Sequence, residues 1–430
     1  MVKHFFAMLG MALTIIPGSA WCQEGNAEQE SQVLSLPRAI QLALSQNPEL
    51  KAVAANQQIA TAEHLQAGLM PNPELEAEFE NFGGSGASSG VDSAETTITL
   101  GQLFEMAGKR KKRREVAGFQ MSLAQLDYEA KRLDVMADTY LAFIDALAMQ
   151  QRVSLDQDLY NLAQEVLSSV KARVEAGKVS PLEATKATIA LSNARMQWLQ
   201  NQERLKALHL ILAGFWGEDQ FHFSRVEGKL GQTVEIPAKE ELNAWLLQSP
   251  DVARWGTEIA YRKAQLRLEE ARRIPDLTFK MGYRRMQETD ENTWVAGISL
   301  PLPLFNKNQG NIQRAGHLIS QGEAQKRAIE NQMRIELAAA IQSLKTAFEQ
   351  TTILQDQILP AAKQAFEGTQ LGYSEGKLGY LDVLDAQRTY FEVNIQYIEW
   401  LSQYQKHKAM VERLLGRKLN TTQGREEGND

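Results

Sequence analysis

The sequence predicts a mainly α-helical fold with a transmembrane β part: a long coiled-coil helical barrel joined to a β-barrel, with four strands per chain and two internal repeats. Three observations lead there. One architectural phrase occurs twice: Arg173–Glu183 (RVEAGKVSPLE) is answered by Gly372–Asp382 (GYSEGKLGYLD), an offset of 376 − 177 = 199 between the tip glycines. Asn47–Leu50 is likewise answered by Ser249–Val252, offset 202. Each copy contains a helical run too long for an ordinary globular domain and two short runs of strict two-residue alternation. Repetition on this scale favours an elongated, pseudo-symmetric body over independent globules.

Residues 1–22 read as a signal peptide, with Lys3 ahead of an apolar core and a small-residue cleavage site at Pro17–Ala20. Residues 23–35 follow as an N-terminal extension. Cys22 is the single cysteine, so no disulfide can form within one chain. It also sits where a lipid-attachment cysteine would, although Trp21 before it is not the small residue such processing favours. Past the leader, no stretch reaches the roughly 18 apolar residues of a membrane helix, so membrane residence would have to come from β structure. The formal net charge of −7 argues against nucleic acid as a partner.

Repeat 1 occupies 36–212, with strands about 74–82 and 94–104. Glu74, Glu76, Glu78 and Glu80 share one face of the first strand, and Leu75, Ala77 and Phe79 the other. A glycine- and serine-rich loop at 83–90 separates it from its partner, where Ile98 and Leu100 oppose Thr97 and Thr99. From Met106 to Ala176 there is no proline, and Leu126, Leu133, Tyr140 and Leu147 recur at heptad spacing. One helix of that length spans on the order of 100 Å and implies coiled-coil packing. It stops at Gly177, suited to the left-handed C-terminal cap. Ser180-Pro181-Leu182-Glu183 then opens a returning helix with an N-cap serine, a proline at the first helical position and a glutamate placed for a capping box. An irregular equatorial segment is expected at 213–240.

Repeat 2 occupies 241–416, with strands about 276–286 and 293–302, a long helix expected unbroken from Gln309 to Glu375, a tip at 376–379 and a returning helix near 380–415. Residues 417–430 form a polar C-terminal tail. Four amphipathic strands could also make one small soluble sheet. In lipid, four strands cannot close, and open edges are not tolerated there. Two copies would give eight strands and a filled interior, three would give twelve and room for water.

The residues resemble the TolC family of outer-membrane efflux proteins, and more closely its cobalt-zinc-cadmium (CzcC-like) branch. The resemblance rests on Pro71–Leu75 (PNPEL), Phe82–Gly86 (FGGSG), the strand exits Gln102–Arg110 (QLFEMAGKR) and Pro301–Gly310 (PLPLFNKNQG), and Tyr380–Gln387 (YLDVLDAQ), and it covers about residues 36–416. It implies a homotrimer with a twelve-stranded outer-membrane barrel and a periplasmic helical tunnel, gated at the periplasmic tip. It also implies a periplasmic adaptor protein and an inner-membrane resistance-nodulation-division pump as partners, divalent heavy-metal cations as cargo, and no enzymatic activity or cofactor of its own. A drug or protein-secretion duct of the same fold is the alternative, and an exported coiled-coil scaffold or adhesin a further one.

On that resemblance the tips Gly177, Lys178, Val179 and Ser180, and Gly376, Lys377, Leu378 and Gly379, are expected to meet the adaptor; the plainer reading is chain reversal alone. Asp382 and Asp385 share a helix face and could ring a pore constriction, or could simply meet the helix dipole. Glu183 and Lys186 stand at the matching positions of the first copy (183 + 199 = 382, 186 + 199 = 385). Tyr373, Arg173 and Lys186 are candidates for bonds that hold the tip shut, by analogy with the family. The basic run Lys109–Arg114 is expected at the barrel's periplasmic rim, facing outer-membrane lipid phosphates, or as a solvated helix start. His64, His209, His222, His317 and His407 are scattered without ligand spacing, and Met281 and Met286 read as strand residues, so no metal site is nominated.

Overall fold

A computed structural model of the chain describes residues 32–231 and 236–419. The expected signal peptide, Cys22 and most of the polar tail lie outside these residues. The first copy runs β1 (Gln32–Ser35), α1 (Leu36–Gln46), α2 (Pro48–Ala67), β2 (Glu74–Glu80), β3 (Glu95–Phe104), α3 (Lys109–Glu175) and α4 (Pro181–Gly214). After β4 (Phe223–Glu227) the second copy runs α5 (Lys239–Gln248), α6 (Pro250–Arg272), β5 (Leu277–Met286), β6 (Glu291–Ser299), α7 (Gln309–Ile353), α8 (Leu359–Ser374) and α9 (Tyr380–Leu415).

Helix α3 is the spine. Its 67 residues extend for about 100 Å at 1.5 Å per residue. Helix α2 lines its barrel-side half, where Lys131 pairs with Glu49 and Arg114 Nε lies 3.4 Å from His64 Nε2. Helix α4 lines the tip half, where Asn201 Nδ2 donates to buried Asp156 at 2.6 Å. Two shorter helices thus cover one long neighbour. At the waist, Phe143, Ile144 and Leu147 of α3 bury against Leu212, Trp216 and Val226.

Two expectations need correction. The stretch 309–375 is not one α-helix: Leu354–Ile358 is a π-helical turn, with the Leu359 N–H donating to the Leu354 carbonyl. The cause is Pro360, the second residue of α8, which has no N–H and whose ring would meet the carbonyl four residues back; widening the turn relieves both. The segment 213–240 is not irregular throughout, because β4 pairs in parallel with β1, Val33 opposite Arg225 and Leu34 opposite Val226. Pairing across about 190 residues is set by packing on α3 rather than by local pattern.

The four long-copy strands form one antiparallel sheet in the order β2-β3-β5-β6. Register places Glu76 opposite Thr99, Thr99 opposite Gly282 and Gly282 opposite Val295. One face is polar: Lys280 Nζ bonds Glu76 at 2.6 Å, and Arg284 bonds Glu95 and Thr97, each at 2.9 Å. The other carries Leu75, Phe79, Ile98, Met281, Trp294 and Ile298, with Trp294 76 % and Ile298 69 % exposed in the single chain. An apolar face of this extent left uncovered requires an apolar medium or a partner. Both sheet edges, β2 and β6, are unpaired among the described residues. Gly282 is required by close approach: a Cβ there would lie 2.2 Å from the Ile98 carbonyl oxygen.

Candidate functional site: the paired tips

Far from the sheet, α3–α4 and α8–α9 turn back at matched positions. Gly177 has φ 68° and Gly376 φ 77°, the left-handed conformation that glycine adopts without a Cβ penalty. In the first tip Lys178 N–H donates to the Arg173 carbonyl and Gly177 N–H to that of Val174, both at 2.9 Å. In the second, Lys377 N–H donates to Gly372 at 2.8 Å and Gly376 N–H to Tyr373 at 3.0 Å. The two tips are one Schellman motif made twice. In the second copy Leu378 Cδ1 packs so closely over Gly372 that a Cβ would lie 2.6 Å from it.

The helices that leave the tips are capped differently. Ser180 Oγ accepts from Leu182 N–H at 3.2 Å, as its N-cap position predicts. The capping box expected of Glu183 does not form: one of its carboxylate oxygens is buried without a hydrogen-bond partner. The Glu183 charge adds to the rise of the Tyr373 and Tyr380 hydroxyls in the second hairpin. Asp382 makes the box, with its Oδ2 accepting the Gly379 N–H at 2.8 Å. That geometry favours the capping reading of Asp382. Asp385 is exposed.

Between the hairpins lies a small core of Leu167, Val170, Ala187, Tyr373, Tyr380 and Val383. Arg173 bridges it, its guanidinium carbon 4.2 Å from the Tyr373 ring centroid and its Nη1 donating to the Tyr373 carbonyl at 3.0 Å. Burial, only partly opposed by Arg173, raises the Tyr373 hydroxyl above the usual phenol range, and burial pushes Tyr380 up to about 12. Both hydroxyls therefore stay protonated at neutral pH. The structure brings Arg173, Tyr373 and Glu183 together around Tyr380, which sequence reasoning did not assign a role. It does not bring Lys186 into that cluster by any bond.

Outward from this core, the first turns after the tips present Leu182 and Leu381, each 59 % exposed and 199 positions apart. Lys178 and Lys377 are exposed too, Lys377 paired with Glu375 at 2.6 Å. Among the described residues, no three His, Cys, Asp or Glu side chains meet in a metal-holding group. No helix among the described residues is long and apolar enough to cross a membrane.

A β sheet with an uncovered apolar face, continuous with helices of 67 and 45 residues, defines a long helical protein that meets a membrane through its sheet. The chain belongs to the outer membrane efflux protein family, which it matches over residues 39–218 and 242–417. It is 31 % identical over 427 residues to the cobalt-zinc-cadmium resistance protein CzcC of Cupriavidus metallidurans, covering 97 % of this chain and 100 % of that one. The nickel and cobalt resistance protein CnrC of the same organism is 27 % identical over 331 residues, 77 % of this chain and 78 % of CnrC. In fold it is similar to a membrane protein from Pseudomonas aeruginosa, with TM-score 0.77 at 18 % identity, covering 96 % of this chain and 98 % of that one. The protein is a component of the outer membrane with a long periplasmic part, as the family assignment and the sheet's apolar face together require.

Proposed function

We propose that three copies form a duct that exports divalent heavy-metal cations, coupled through a periplasmic adaptor to an inner-membrane pump of the resistance-nodulation-division type. The sheet supports the assembly: its free β2 and β6 edges would be unsatisfied in lipid, and pairing β6 of one copy with β2 of the next removes them. Three copies give twelve strands and a water-filled interior. The matched tips carry the coupling. Each presents a glycine turn, an exposed leucine and a lysine, so a trimer offers six such units in a ring, a periodic surface for a periplasmic partner. The Arg173–Tyr373 clamp supports gating at the same level, since it ties the two hairpins of one subunit.

The duct performs no chemistry. A conduit works with weak, replaceable contacts, because tight sites slow release. Cargo class follows the relatives, whose names record resistance to cobalt, zinc, cadmium and nickel. Deleting the gene in a strain without a second such duct is expected to lower tolerance to these salts and raise intracellular metal. Unchanged tolerance and unchanged metal content would refute the cargo, and co-purification of a drug or protein-secretion pump would replace it.

A further inference from the structure

Within the basic run Lys109–Arg114 two sets stand apart, and half-buried Lys112, in no ion pair among the described residues, belongs to neither. Lys109 and Arg113 are internal clamps: Lys109 Nζ pairs with Asp276 at 2.7 Å, while Arg113 pairs with Glu105 at 2.5 Å and donates to the Ala67 and Leu69 carbonyls. They tie the strand exits to the helices. Arg110, Lys111 and Arg114 are exposed, and none forms an ion pair among the described residues. The first set explains itself through the fold; the second does not.

Lys111 and Arg114 open on a hollow of about 390 Å³ between α2 and α3, shared with His64, Gly118 and Phe119. The one carboxylate on its border, Glu115, is engaged by Arg267 at 2.6 Å. On the opposite flank of α3 a different cavity is lined by all four barrel-side helices, through Glu63 of α2, Gln120 of α3, Tyr261 of α6 and Arg314 of α7. A single cavity touched by four neighbouring helices lies on the concave side of their layer, the side that encloses a lumen. Lys111 and Arg114 therefore face the convex, outer side.

Their depth is set by the sheet. Lys111 follows the last residue of β3, Phe104, by seven positions. The strand exits between sheet and helices carry uncovered apolar side chains, with Leu302 71 % and Phe305 91 % exposed and Phe104, Met106 and Ile274 also uncovered. An apolar girdle followed within a few residues by unpaired cations is the order in which a bilayer presents acyl chain and then phosphate.

We propose that Lys111 and Arg114, with His64 alongside, form a headgroup site for an anionic phospholipid of the inner leaflet. The phosphate sits between the two cations, and the acyl chains run up the apolar girdle toward the barrel wall. The site is continuous with the lipid-facing surface of the sheet and needs only one subunit, so a trimer holds three.

The test is native mass spectrometry of the delipidated trimer titrated with phosphatidylglycerol, with diacylglycerol, or with inorganic phosphate. The expected result is up to three retained phosphatidylglycerol molecules per trimer, little retained diacylglycerol, and no protection by millimolar phosphate. The double variant Lys111→Gln, Arg114→Gln, folded by the criterion of an intact trimer, is expected to bind phosphatidylglycerol about 30-fold more weakly. Equal retention by wild type and variant overturns the proposal. So does equal retention of diacylglycerol by the wild type, which makes the girdle alone responsible, or displacement by inorganic phosphate, which makes the hollow a solute anion site. The last two arms need no variant.

Discussion

Loosening the tip clamp is the most informative perturbation. Replacing Arg173 with Gln removes a guanidinium 4.2 Å from the Tyr373 ring centroid and a charged hydrogen bond of 3.0 Å to the Tyr373 carbonyl. Arg173 is half-exposed, so the ring contact and the hydrogen bond are each taken at about 1 kcal/mol, the typical net value of a solvent-accessible contact. The sum, about 2 kcal/mol per subunit, shifts a closed-to-open ratio by about 30-fold. Tyr373→Leu removes only the ring contact, because the carbonyl acceptor remains; a double-mutant cycle should return a coupling of about 1 kcal/mol. The assay is single-channel recording in planar bilayers, with trimer heat stability on gels as the folding control. Arg173→Gln is expected to lengthen open dwell times and raise conductance. A variant trimer with wild-type dwell times and conductance would refute the clamp as a gate element, and additive single effects would refute the ring contact.

Other outcomes follow from the same geometry. Asp385→Ala is expected to reduce cation preference, read as a shift in reversal potential, while Asp382→Ala loses the Gly379 cap and costs about 1 kcal/mol of local helix stability; an unmoved reversal potential in Asp385→Ala retires it from the constriction. Burial raises the Glu412 carboxyl above 4.5 while its Oε1 accepts the Leu419 N–H at 2.9 Å. A raised carboxyl binds more protons folded than unfolded, so its contribution is fully present below pH 4.5 and lost as pH rises through the folded value. Glu412→Gln should therefore raise the thermal midpoint at neutral pH and change it little at about pH 4.5; an equal change at both would contradict this. Gly282→Val drives a Cβ to 2.2 Å from the Ile98 carbonyl and is expected to abolish the heat-stable trimer on gels, whereas Gly297→Ala, with open space around it, should leave it intact.

Much of this was legible because the signals are local. Alternation in Glu74–Glu80 follows from a two-residue period that no helix can share, and Gly177 and Gly376 mark tips because each ends a long helical run and glycine takes the left-handed backbone at little cost. What stayed hidden is non-local. The β1–β4 pair has four residues on one side and five on the other, too short to show a period. Ser180–Glu183 has the letters of a capping box, yet a Glu183 carboxylate oxygen is buried without a hydrogen-bond partner, and no local rule reports that burial. Pro360 was visible, but its answer, a π turn rather than a break, goes with the packing of Leu354 on Val393 of α9, which is 39 positions away. Within the basic run, only the partners Asp276 and Glu105 separate clamps from free cations.

The central claim is that four strands per chain become a membrane barrel only by pairing across copies, and it is tested most directly by the native mass of the complex extracted from the outer membrane. Three copies of the mature chain, stable in detergent without added partners, is the predicted result. A single chain recovered from the soluble periplasmic fraction would contradict it.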